Sequence, residues 1–383
     1  MKLLHIASFT GNIGDNCSHN GFRKVLDRLD FKVDKLKKVE IRDFYNNRDL
    51  RYKKYFDASF AEYANKFDMI VIGGGGFLDY FVEGSDTGTT INISKSILDS
   101  IKTPILLSSV GCVPNRPVPD GNKEKFLDFL NYIKNRENME LLLRNDGSIK
   151  HIRNDFGSEI SSCFHHILDN GFHYELNKKY TFQLKRKFVA INTSYDQLTM
   201  SSDFSNKLDT SWFYKELSKV VEYIIHDLHL DVCLVPHIYQ DLLGINNLIS
   251  ELDDYTVRDN IFCAPYVQHD EGSDLIYSIY NQSELVVGSR LHANIGCMSM
   301  GKKTIGLSSL MRVKEVYHDV GMDEFFININ NSFSSDLCIK IKTTLSEDSS
   351  QFYSNLMSKI NPLRENSIDI YRKSFDKLIR NIT

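Results

Sequence analysis

A chain of 383 residues, 42% hydrophobic and 25% charged, has the composition of a soluble globular protein and the length for two cores. Its net charge of −4 leaves no electrostatic footprint for nucleic acid, and no apolar window approaches the ~20 residues a membrane span needs. Seven scattered cysteines, odd in number and without a CxxC pair, argue against a disulfide framework or zinc site and point to reduced thiols in the cytoplasm.

Met1–Ser8 lacks the apolar length and cleavage site of a signal peptide and reads as a first buried strand. From there short β-like runs alternate with amphipathic stretches, the pattern of an α/β protein. The first half has strand candidates at Lys2–Ser8, Met69–Ile72, Ile105–Ser109 and Glu140–Leu143. Its helix candidates are Asn16–Asp30, Asn92–Ile101, Asn122–Lys134 and Ser148–Asn154, with Asp43–Tyr55 a surface excursion. Periodicity fades in the polar, basic stretch around Tyr174–Arg186, which reads as a linker. Strands resume at Phe188–Asn192, Asp231–Pro236, Asn260–Ala264, Glu284–Gly288 and Thr304–Leu307. Helices at Trp212–His226, Ser273–Gln282 and Leu291–Met300 fall among them, and the tail from Gln351 to Arg380 is helical and expected to pack back on the first domain. The expected division is therefore 1–178, 187–345 and a helical tail 346–383.

The strongest local signal is Ser289-Arg290-Leu291-His292, where an apolar strand stops and a helix of small residues begins. It places a permanent cation with a fork of donors next to an imidazole at a strand's C-terminal end, where open α/β sheets bind ligands. That pairing suits an anionic substrate and a proton transfer. Gly11-Asn12-Ile13-Gly14-Asp15 follows the first strand as an anion-lining turn, or as a tight turn capped by Asp15. Gly73-Gly74-Gly75-Gly76 is a cradle of N–H groups or a close packing of strand on helix; it matches neither a P-loop nor GxGxxG. Arg144, ending a strand before Asn145-Asp146-Gly147-Ser148, binds a ligand or pairs with a nearby Asp. His237 follows a strand end, as a site residue or a surface histidine. His165-His166 point to opposite faces of a strand, so no metal site is expected there.

Taken in order, Gly11–Asp15, Gly73–Gly76, Ser109-Val110-Gly111, Arg144–Ser148, Asp169, Ser289–Ala293 and Lys314 resemble the polysaccharide pyruvyl transferase family. One departure is Cys112, where the family often has Pro; here Pro114 comes two residues later. The resemblance implies an α/β fold of two Rossmann-like domains facing a cleft, like GT-B glycosyltransferases. It implies transfer of the carboxyvinyl unit of phosphoenolpyruvate to two hydroxyls of a sugar as a pyruvate ketal. His292 would be the acid/base and Asp15 its partner. Arg144, Arg290 and Lys314 would hold the donor's charges, with Ser289, Asn12, Gly74, Gly75, Ser148 and His237 lining the substrates. No cofactor is implied beyond phosphoenolpyruvate as co-substrate. A lipid- or nucleotide-linked acceptor, peripheral contact with the inner membrane face and a homo-oligomer are compatible with that reading. A nucleotide-sugar glycosyltransferase on the same fold is the alternative.

Overall fold

The computed structural model describes residues 1–183, 186–200, 208–331 and 333–380. Contacts divide the chain into two compact units. The first comprises Met1–Phe9, Phe22–Asn170 and Leu363–Thr383, the second Thr10–Gly21 and Gly171–Pro362.

In chain order the first half supplies β1 (Lys2–Ala7), α1 (Ile13–Arg28), β2 (Lys35–Glu40), α2 (Ala58–Ala64), β3 (Met69–Gly73), α3 (Lys95–Ser100) and β4 (Ile105–Val110). It continues with α4 (Asn122–Lys134), β5 (Met139–Arg144), α5 (Ser148–Phe156), α6 (Ser158–Ser161) and β6 (His165–Ile167). Six strands form one parallel sheet in the order β2-β1-β3-β4-β5-β6. β3, β4 and β5 are buried along their whole length, as strands covered on both faces must be. β2 was not expected from the sequence: its KLKKVE run puts lysines on an exposed edge, so it carries no apolar alternation.

The second half supplies β7 (Phe188–Asn192), α7 (Thr210–His226), β8 (Asp231–Leu234), α8 (Asp241–Ile249), α9 (Asp254–Asn260), β9 (Ile261–Cys263) and α10 (His269–Gln282). Then follow β10 (Leu285–Gly288), α11 (Leu291–Ser299), β11 (Thr304–Ser308), α12 (Met311–Asp319), β12 (Phe326–Asn328), α13 (Phe333–Ser346) and α14 (Ser349–Arg380). Its parallel sheet runs β12-β11-β10-β7-β8-β9. Numbered from its own first strand, that is the doubly wound order 3-2-1-4-5-6 read from the β9 edge.

The boundaries differ from the expected ones in three places. Residues 10–21, including the first half of α1, belong to the second unit rather than the first. The stretch around Tyr174–Arg186, expected as a linker, is docked along α10 as far as Phe182. Tyr174 Oη donates to Asp274 (2.9 Å), Tyr180 N to Ser278 (3.0 Å) and Phe182 N to Gln282 (3.0 Å). Those three acceptors sit four residues apart, along one face of the helix. Its polar composition reflects side-chain-to-backbone pairing, which a periodicity reading takes for a linker.

The third difference is in α14, which is divided at Pro362. A proline has no N–H for the carbonyl one turn earlier, so the ladder is weakest there. Beyond it, Ile368, Tyr371, Phe375 and Leu378 recur at helical spacing and pack with Leu3, Phe22, Val25, Met69 and Leu142 in the first unit's core. Each such aromatic or Leu contributes roughly 1.5–3 kcal/mol by burial. Tyr371 Oη also donates to Asn170 Oδ1 at 2.7 Å. The expected return of the tail onto the first unit is what the structure shows. Among the described residues no helix is long and apolar enough to cross a membrane.

Candidate active site

The order of the second sheet reverses between β7 and β10, and doubly wound sheets open a ligand crevice at such a point. The two strand ends are tied there by Asn192. Its carbonyl accepts from Ser289 N (3.0 Å) and Ser289 Oγ (2.9 Å), and its Oδ1 accepts from Arg290 N (3.0 Å). Asn192 Nδ2 donates to Val235 O (2.9 Å), joining the end of β8 to the same network. The backbone of the Ser-Arg-Leu-His turn is thus fixed before any side-chain chemistry begins.

Arg290 is buried and its fork is engaged. Nε donates to both oxygens of Asp241 (3.0 and 2.8 Å), and Nη2 reaches Asp241 and Asp196. Asp241 is fully buried at the start of α8 and also accepts from His237 N (2.8 Å) and Ile238 N (3.2 Å). Burial works against the guanidinium's charge; Asp241 and then Asp196 outweigh it and hold the pKa above the ordinary value. The two carboxylates differ in access: the Asp196 side chain is 18% exposed, that of Asp241 0%. Sequence reading missed both, because they lie 94 and 49 residues before their partner.

The crossing segment Thr10–Gly21 brings a second set of groups to this strand end. Asn12 Oδ1 accepts from Gly14 N (3.0 Å) and its Nδ2 donates to Asp15 Oδ1 (3.0 Å), an Asx turn that starts α1. Ile13 N donates to His237 O (3.2 Å), pinning that start to the loop after β8. Asp15 Oδ1 lies 3.8 Å from His292 Nδ1, an ion-pair separation longer than a direct hydrogen bond. Both residues are buried. His292 stands in the first turn of α11, where the helix dipole favours negative charge.

His237 lies beneath this cluster. Its Nε2 meets Tyr280 Oη at 2.8 Å, and its Nδ1 has no hydrogen-bond partner among the described residues. Burial, then the charges of Arg290 and His292, push its pKa well below the ordinary 6.5, so it is held neutral. Lys314 is exposed on α12.

The remaining candidates lie in the first unit. Arg144 is buried with Nε on Asp146 (2.7 Å) and Nη1 on Asp169 (3.3 Å). Burial opposes its charge, but Asp146 and Asp169 raise its pKa above the ordinary value. Ser148 Oγ donates to Asp146 and accepts from Cys112 N (2.7 Å), closing the loop that departs from the family pattern. Gly74 N donates to Ser108 O (3.1 Å), so that N–H serves the sheet. A side chain on Gly73 would run into the Ser108 carbonyl, and one on Gly75 into the Phe77 ring.

Comparisons with known proteins bear on the family and the fold. A profile of the polysaccharide pyruvyl transferase family matches residues 15–309. The chain belongs to that family. The matched span opens at Asp15 and includes Arg144, Arg290 and His292. Among solved structures, this pyruvyl transferase family member resembles a glycosyltransferase from Rickettsia africae ESF-5 (TM-score 0.56, 10% identity, 98% of each chain covered). It also resembles S. aureus MnaA in a UDP co-structure (TM-score 0.52, 12% identity, 94% of this chain and 91% of that one). A third likeness is to a UDP-GlcNAc 2-epimerase from Neisseria meningitidis bound to UDP-GlcNAc (TM-score 0.51, 12% identity, 98% and 100%). At such identities these likenesses speak to a shared two-domain Rossmann-like fold. No curated protein matches the chain by sequence.

Proposed function

We propose that the chain forms a pyruvate ketal on a sugar of a cell-surface polysaccharide or its precursor, with phosphoenolpyruvate as donor and phosphate as the second product. The observation that carries this reading is the meeting of Asp15, His292 and Arg290 at the switch point of the second sheet. In the reaction the donor's methylene carbon gains a proton, and the adjacent carbon bonds to a sugar oxygen. The carbon–oxygen bond to phosphate then breaks, and a second hydroxyl of the sugar closes the ketal. Two hydroxyl protons are released overall: one balances the proton taken up by carbon, and the other leaves with phosphate.

His292 moves these protons, and Asp15 orients the imidazole. Arg290 begins with two carboxylates against one cation, so an incoming oxyanion must replace one of them. Asp196 is the exchangeable partner, being the more exposed, while Asp241 stays, held by two backbone N–H groups, and keeps the guanidinium aimed. Lys314 adds positive charge from α12. Ser289, Asn12 and His237 hold the backbone that carries His292 and Asp15. Arg144, expected from the resemblance to hold donor charge, is instead committed to the buried Asp146 and Asp169; with Ser148, Gly74 and Gly75 it shapes the strand-end loops of the first unit, on the acceptor side. The acceptor is lipid-linked or nucleotide-linked, and the reaction takes place in the cytoplasm.

The test is mass spectrometry of candidate glycans incubated with phosphoenolpyruvate, with phosphate release followed in parallel. A mass increment of one pyruvate ketal with stoichiometric phosphate supports the reading. Thermal stabilisation by nucleotide sugars and none by phosphoenolpyruvate would favour glycosyl transfer instead.

A further inference from the structure

A cavity of about 470 Å³ lies in the first unit, at the C-terminal ends of β2 and β3. Its walls come from the turn after β2 (Tyr45, Asn46) and the loop after β3 (Phe81, Glu83, Asn92), with Arg116 from the loop after β4. That volume lies within the ~300–1,000 Å³ typical of small-molecule sites. Strand ends on this side of a parallel sheet are where ligands of open α/β folds bind. None of these residues belongs to the cluster around His292.

The polar wall is prearranged. Asn92 Nδ2 donates to Asn46 Oδ1 (3.1 Å), and Asn46 Nδ2 donates to Glu83 O (3.0 Å). Asn92 Oδ1 accepts from Asp86 N (2.9 Å). A carboxamide has two N–H donors and two acceptor lone pairs, so these bonds fix both side chains and leave each with one donor and one acceptor. A sugar hydroxyl needs that combination, because it donates and accepts at once. The apolar wall is Tyr45 and Phe81, with the Arg116 guanidinium 5.3 Å from the Phe81 ring centroid. Flat aromatic surface suits the C–H face of a pyranose.

Charge decides between donor and acceptor. The cavity has one cation, Arg116, and one carboxylate, Glu83, so it offers no net attraction to a trianionic enol phosphate. It suits a neutral polyhydroxylated ring. We propose that this cavity binds one sugar ring of the acceptor, with Asn46 and Asn92 reading hydroxyls and Phe81 and Tyr45 packing on the ring face. The assignment rests on the pyruvyl transfer reading for the word acceptor, but the sugar site itself stands on the cavity.

The test is saturation-transfer NMR on the full chain with methyl glycosides of glucose, galactose, mannose and their N-acetylamino counterparts. Uridine and UDP serve as the competing class. At least one glycoside is expected to show saturation at its ring C–H protons. Its affinity should fall about tenfold or more in Phe81→Ala and in Asn92→Ala, a loss of the size expected for one stacking surface or an anchored hydrogen-bond pair. Arg116→Ala, an exposed position, keeps the test valid if either inner variant fails to fold. Its sugar affinity should fall as well, with the melting temperature unchanged. No glycoside signal at all, glycoside binding indifferent to all three variants, or uridine binding that the same variants abolish would each overturn the proposal. Failure of the pyruvyl transfer reading looks different: sugar binding remains sensitive to Phe81→Ala, while phosphoenolpyruvate neither stabilises the protein nor releases phosphate.

Discussion

A methyl group on Gly14 would stand 2.7 Å from the Cβ of His292 and 3.2 Å from its Nδ1. The bare backbone of one unit-crossing turn is therefore what lets the proposed acid/base residue sit where it does. Gly14→Ala must push the α11 turn or the imidazole aside. The expected outcome is a turnover loss of about 10²-fold, the usual size of a misplaced general acid–base group. Steady-state kinetics with phosphoenolpyruvate, alongside a melting curve showing an intact fold, checks it; wild-type turnover would show that the imidazole tolerates the shift.

His292→Gln removes the titrating group while keeping a polar side chain. Turnover should fall by roughly 10² or more. Asp15→Asn should cost less, because at 3.8 Å the carboxylate orients the imidazole without a direct hydrogen bond. Comparable rates in wild type and His292→Gln would remove His292 from the mechanism.

The two carboxylates on Arg290 should separate cleanly. Asp241→Asn weakens the anchor of a buried guanidinium, and breaking such a pair costs about 3–5 kcal/mol. Urea denaturation should show that loss. Asp196→Asn leaves Asp241 in place and removes the group that a donor oxyanion has to displace. Its KM for phosphoenolpyruvate should fall while the urea midpoint stays within error. A raised donor KM in that variant would mean that Asp196 assists binding.

His237 makes stability depend on pH. The folded chain keeps its imidazole neutral far below the ordinary pKa of 6.5, whereas the unfolded chain takes up a proton there. Folding stability is therefore unaffected by this group above pH 6.5 and falls below it, by up to ~1.4 kcal/mol per pH unit. Denaturant titrations between pH 7 and pH 5 should show the decline, and His237→Gln should flatten it. An identical slope in the variant would assign the decline to other groups.

Much of this fold can be read from the chain's local pattern. The buried runs of β3, β4, β5, β7 and β10 and the Ser289–His292 turn stand out because uninterrupted apolar strands and a strand-to-helix stop are written in consecutive residues. β2 does not, since an exposed lysine-rich edge strand is held by its neighbour's backbone. Nor does the placement of residues 10–21. Their sequence specifies a turn and a helix, but not which unit receives them, which is set by contacts some 280 residues away, such as Gly14 with His292. Arg290 was legible as a cation at a strand end. Its two carboxylates were not, because an ion pair between distant positions leaves no periodic trace. An Asp four residues after a strand-end His, at a helix start, was the available clue to Asp241.

The return of α14 to the first core has a consequence for biogenesis. Leu3, Phe22 and Leu142 emerge early, but their covering partners Tyr371, Phe375 and Leu378 are made only after the entire second unit. The half of the protein translated first is thus the half completed last. On the ribosome, the second unit has its own sheet in hand while the first still has an uncovered apolar face, so that face is the one nascent-chain chaperones must shield.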